Sequence, residues 1–144
     1  MFSSPPSARR AEPAVVVHGL AQLRLALRPG LPVTLLSAPA AACFAGSAWW
    51  RALMAIGRAE FGGPWDDILD CGDAPGTAMA ALRLGQRRLI LAEAAPGFAA
   101  VVAAAGALGA EVTTARPPLL DLARPGAGRR LLLWLQGDSG QRLG

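Results

Sequence analysis

The sequence predicts an α/β domain: a single three-layer arrangement around a mostly parallel sheet of five or six strands built from βα units, open and doubly wound rather than part of a barrel. Three observations carry this. Short β-type runs alternate with helical runs along the chain. Proline and glycine stop most of the helical runs. A weak repeat with a period of 21 positions relates 68–75 to 89–96, and both copies lead through Ala-Pro-Gly (Ala74 to Gly76, Ala95 to Gly97) into a run that stops at Leu-Gly.

Taken in order, Val15 to Val17 form the first strand, and the helical run 20–27 behind it is stopped by Pro29 and Gly30. Residues 33–36 are the second strand and carry a related start, Ala38–Pro39, without the glycine. A helix over 47–60 ends at the Gly62, Gly63, Pro64 breaker, and a third strand occupies 67–70. The next helix, 77–84, stops at Gly85. Residues 88–91 are the fourth strand, 98–108 the fourth helix and 111–114 the fifth strand. The apolar run 131–135 is assigned to a sixth strand, whose direction Pro117, Pro118 and Pro125 leave open. Residues 1–12, with Ser3, Ser4, Pro5, Pro6 and Ser7, read as a disordered arm and 137–144 as a polar tail, which leaves 13–136 as the folded domain.

Composition sets the class. With 144 residues, 53% hydrophobic and 17% charged, and a mean hydropathy of +0.36, the chain reads as one compact soluble domain with enough core to need neither disulfide nor structural metal. Its two cysteines, Cys43 and Cys71, make no framework. The net charge of +4 invites a nucleic-acid partner, but all 14 basic residues are arginine, with no Lys, Asn or Tyr and 31 Ala, the composition of a GC-rich bacterial genome. Arginine alone sets the pI near 10.9, and Arg9, Arg10, Arg129 and Arg130 sit in or beside the tails. No aromatic residues interleave with the arginines, so no nucleic acid is expected. The apolar run after Arg9 and Arg10 is too short for a secretory leader, and the charge-free stretch 94–110 is too broken by Pro96, Gly97, Gly106 and Gly109 to span a bilayer. A cytoplasmic protein with reduced thiols, not on a membrane, is expected.

Two helices are apolar nearly all round. In 47–60, Trp49, Leu53 and Ile56 form one stripe and Trp50, Met54 and Phe61 another; such a helix is either sandwiched in the core or packed on a second subunit, which makes it the candidate surface for a homodimer. In 98–108 nearly every residue is Ala, Val or Gly.

In parallel α/β sheets, ligands bind beyond the carboxyl ends of the strands. Reading those ends gives His18, Ser37, the Asp70-Cys71-Gly72-Asp73 elbow with Gly76 and Thr77, Glu93, and Thr113 with Thr114. The elbow is richest: Gly72 and Gly76 allow close backbone approach, yet no phosphate fingerprint is present and two carboxylates would repel a phosphate. The structural alternative has Asp73 capping the helix with Pro75 in its first turn. A thiol reading takes Cys71 as nucleophile and His18, the only histidine, as base, the thiolate being favoured by a helix start. His18 equally suits capping the first helix or bonding a loop carbonyl. A metal reading takes Asp70, Asp73 and Glu93 as oxygen ligands for Mg²⁺, but no spacing is diagnostic and no metal is assigned. Ser37 lacks the Gly-x-Ser-x-Gly elbow. No motif specifies a cofactor. The expectation is a small-molecule-binding domain lined by Ser37, Asp70, Cys71, Gly72, Asp73, Gly76, Thr77 and Glu93; the alternative is a non-catalytic homo-oligomeric or partner-binding protein that uses its apolar helices.

Overall fold

A computed structural model describes residues 12–137, so the expected arm and tail lie almost wholly outside the described residues. The chain runs β1 (Ala14–Val16), α1 (Leu20–Leu27), β2 (Thr34–Leu36), α2 (Ala41–Phe44), α3 (Ser47–Phe61), β3 (Asp66–Asp70), α4 (Pro75–Arg83), β4 (Arg88–Ile90), α5 (Phe98–Ala107), β5 (Glu111–Thr113), β6 (Leu119–Asp121) and α6 (Ala127–Leu135). The six strands form one sheet in the order β5-β4-β3-β2-β1-β6, with every pair parallel. β5 and β6 are opposite edges, so the sheet is open and not a barrel, as expected.

Side chains alternate along the strands and both sets are buried, one against the helices and the other among themselves. Val15, Leu35, Leu69, Leu89 and Leu120 join the large core cluster, where they meet Leu23 of α1, Trp50 and Met54 of α3, Ala81 of α4, Val101 of α5 and Leu131 of α6. Val16, Leu36, Ile68 and Ile90 belong to a second cluster, with Leu119 packed against it. Residues 114–118 must carry the chain from one edge of the sheet to the other. So short a segment reaches roughly 20 Å, whereas the edges of a flat six-stranded sheet are about 24 Å apart. The sheet therefore curls. The crossing segment is pinned by Arg116, which donates to Asp70 Oδ2 at 2.8 Å and to the Ser37 carbonyl at 3.1 Å.

The expected sixth strand at 131–135 is corrected: it is the last part of α6. Ala127, Leu131 and Leu135 are buried at i, i+4 and i+8 while Leu132 and Leu133 are more than half exposed, a helical stripe and not the alternation of a strand. The sixth strand is β6, just after Pro117 and Pro118, an edge position where missing backbone donors cost least. The short α2 was not expected, having too few residues to show a period. α3 is one-sided and not apolar all round. Its buried positions are Ser47, Trp50, Leu53, Met54 and Gly57, while Ile56 and Phe61 reach solvent. Trp50 lies wholly inside the domain and donates its indole N–H to Asp67 Oδ2 at 2.8 Å, so only the other side of α3 is available to a second subunit.

Candidate functional site at the carboxyl edge

Because all strands are parallel, their carboxyl ends fall on one edge, and the expected polar residues come to it in the order Thr113, Glu93, Asp70, Ser37, His18 across the sheet. To these the fold adds Asp121, the last residue of β6, beside β1. β1 has β2 on one side and β6 on the other, and the helices that follow β1 and β6 pack in the same core cluster, so the loops after these two strands lie side by side at this edge.

His18 follows β1 directly. Its Nε2 lies 2.8 Å from Asp121 Oδ1, and the same carboxylate oxygen accepts the Ala123 N–H at 2.9 Å. The His18 backbone N–H donates to Gln22 Oε1 at 2.8 Å, which fixes the start of the loop without using the imidazole. Partial burial pushes the Asp121 carboxyl up, but the Ala123 N–H, the His18 hydrogen bond and the charges of His18 and Arg124 outweigh it and hold the group below its ordinary value. Asp121 is thus a carboxylate at neutral pH, and an imidazole donating Nε2–H to it keeps Nδ1 as an acceptor. The His18 ring is about one-third exposed.

The elbow after β3 is tied down. Asp70 is 5% exposed; its Oδ1 accepts the Gly72 N–H at 2.8 Å and its Oδ2 the Arg116 guanidinium. Ser37 is wholly buried, its Oγ accepting the Asp70 N–H at 2.9 Å and donating to the Ala38 carbonyl at 3.0 Å. Gly72 has φ +60, and a Cβ there would stand 3.0 Å from the Ala40 Cβ, so glycine is needed for the close approach of the two loops. α4 starts with Pro75 in its first turn, as expected, but its N-cap is Ala74 and no side chain caps it, so Asp73 is free of the structural role proposed for it. Gly76 and Asp73 are exposed, Thr77 is half-buried and Glu93 is exposed, and among the described residues none of their side chains makes a hydrogen bond or ion pair.

Cys71 is wholly buried, and that burial, with lesser contributions from Asp70 and Cys43, pushes its thiol up to about 12. It lacks the thiolate a nucleophile needs. Its strand is also two positions from β1, roughly 10 Å, so His18 does not serve it. Among the described residues no three His, Cys, Asp or Glu side chains converge as metal ligands, and Asp70 is already occupied by Arg116.

Sequence reasoning missed Asp121, Arg116, Arg124 and Arg130. Asp121, Arg124, Pro125 and Arg130 line, with Leu119 and Leu120, a hollow of about 390 Å³ against β6. The signal was in the repeat itself: Leu119 to Gly126 ends in Arg124-Pro125-Gly126 as the two earlier copies end in Ala-Pro-Gly, and Gly126 begins α6 at φ +78 as Gly97 begins α5 at φ +73. The chain matches no protein-family model and no curated protein, so the reading of this edge rests on its own geometry.

Proposed function

We propose that this domain binds a small molecule at the carboxyl edge of its sheet, over the ends of β1 and β6, with the elbow residues Asp73, Gly76, Thr77 and Glu93 as further lining. The observation that supports it is the His18–Asp121 pair: the only histidine meets a carboxylate from a strand more than a hundred residues away, where β1 and β6 end side by side. A pair assembled by the fold and left part-exposed serves a ligand better than it serves stability, since exposed ion pairs contribute little. Ser37, Asp70, Cys71 and Gly72 act behind this surface: they hold the loops in place and leave ligand contact to their exposed neighbours.

The test is a thermal-shift screen against nucleotides, sugar phosphates, organic acids and divalent metals, run on the parent and on His18→Ala, Asp121→Asn, Asp73→Ala and Glu93→Ala. Binding to the folded state raises the midpoint by mass action. A compound whose shift is lost in His18→Ala or Asp121→Asn supports the reading; shifts that survive all four substitutions sink it.

A second reading, assembly through an apolar helix, is favoured by one observation. α5 carries no charged residue and leaves Val102 42% exposed. Light scattering separates the two readings, because a concentration-independent monomer that answers to ligand supports only the first.

A further inference from the structure

The start of α6 concentrates positive charge, against which the only acid nearby among the described residues is Asp121, whose carboxylate the Arg124 charge helps hold ionised. Arg124 and Arg130 face the hollow against β6. At Gly126 the point a Cβ would occupy is 3.2 Å from Arg129 Nη2 and 3.4 Å from Arg130 Nη1, so two guanidiniums fold back over the same glycine. Among the described residues none of Arg124, Arg129 and Arg130 makes an ion pair within 4 Å or a side-chain hydrogen bond, whereas Arg24, Arg51, Arg58, Arg88 and Arg116 each pair with a carboxylate. The first turn of α6 contains no acidic residue, so the arginines also oppose the positive end of the helix. Arg124 and Arg130 line the hollow, and Arg129 stands beside Arg130 over Gly126 at its rim. The one acid in the lining, Asp121, has Oδ1 committed to His18 and Ala123.

We infer that the hollow between β6 and the start of α6 is a site for an oxyanion, the phosphate or carboxylate of a small molecule gripped by Arg124, Arg129 and Arg130. Guanidinium forks match two oxygens of such a group at once, and three of them fix its position. The volume is that of a small-molecule pocket. This deepens the proposed function and rests on it: the anionic end sits on the arginines and the rest of the molecule extends toward His18 and Asp121, whose Oδ2 faces a hydroxyl or amine donor.

The experiment is a thermal titration of the whole chain at constant ionic strength with inorganic phosphate, with succinate and with chloride as the reference, on the parent, on Arg129→Gln/Arg130→Gln and on Arg124→Gln. The expected result is a saturable rise of about 3–6 °C at tenfold the half-saturating concentration for phosphate, succinate or both, which the double variant loses and Arg124→Gln reduces. Which anion saturates identifies the group. Without ligand, the double variant is expected to melt 1–2 °C higher, about the effect of relieving like charge at a helix start. An equal rise with chloride, or one unchanged in both variants, overturns the inference; so does tight binding of a short single-stranded oligonucleotide with no saturable response to phosphate or succinate. The two readings fail separately. Shifts that need the arginines but not His18 or Asp121 remove the contact with the His18–Asp121 pair and keep the anion site, and shifts that need His18 but not the arginines do the reverse.

Discussion

Asp67 shows what single residues do in this molecule. At 4% exposure in β3, its Oδ2 accepts the Trp50 N–H and the Gln86 amide, both at 2.8 Å, and its Oδ1 accepts Arg58 at 3.0 Å. Asp67→Ala would strand those donors, and a loss of about 3–5 kcal/mol in urea unfolding is expected. Asp121 is the counterpart at the other end of the sheet. Its folded carboxyl titrates below its ordinary 3.8, so its bonds are fully present above that pH and are lost as pH falls through the lower folded value. The midpoint difference between the parent and Asp121→Asn is therefore expected to shrink below about pH 4 in an acid thermal series. Cysteine reactivity gives a third reading at this scale. With Cys43 exposed and Cys71 buried, a thiol reagent should titrate one thiol in the native protein and two in denaturant. None of these pairings was legible in sequence, because they join residues up to 103 positions apart, as in His18–Asp121.

At the scale of elements, periodicity found most of what was there and failed where length removed it. The helices α1, α3, α4 and α5 were placed within a few residues, since buried positions three and four apart read directly as stripes. The run Leu131 to Leu135 misled because five consecutive apolar residues carry no period of their own; only with Ala127 included does the helical stripe emerge. β6 has three residues and two prolines before it, and reads as loop. Packing between elements also escapes sequence. α1 and α3 cross at Gly57, where a Cβ would meet Leu27 Cδ1 and Trp65 at 3.1 Å and Leu23 Cδ1 at 3.2 Å. The Trp65 ring is fixed by its N–H to the Gly62 carbonyl and by Arg58 at 4.3 Å over its face, so it does not yield easily. Gly57→Ala is expected to cost about 1–2 kcal/mol despite its better helix propensity, measured by chemical denaturation.

For the whole molecule, the fold class and the edge that carries the polar residues were legible, because strand–helix alternation implies a parallel sheet and a parallel sheet has one carboxyl edge. The place of β6 was not, and with it went the His18–Asp121 pair. The crossing segment 114–118 is pinned to the ends of the central strands β2 and β3 through Arg116, so Arg116→Ala is expected to lower stability by about 2–4 kcal/mol, leaving Asp70 buried without its cation, while unfolding stays a single transition. The central claim is that a small molecule sits over β1 and β6. Its most direct test is a ¹⁵N-labelled titration with whichever compound raises the midpoint most, following every backbone amide. Shifts concentrated at 18–22 and 119–130 with the elbow 72–77 as a fringe are the expected result, and shifts confined to α3 or α5, with the carboxyl edge silent, would contradict it.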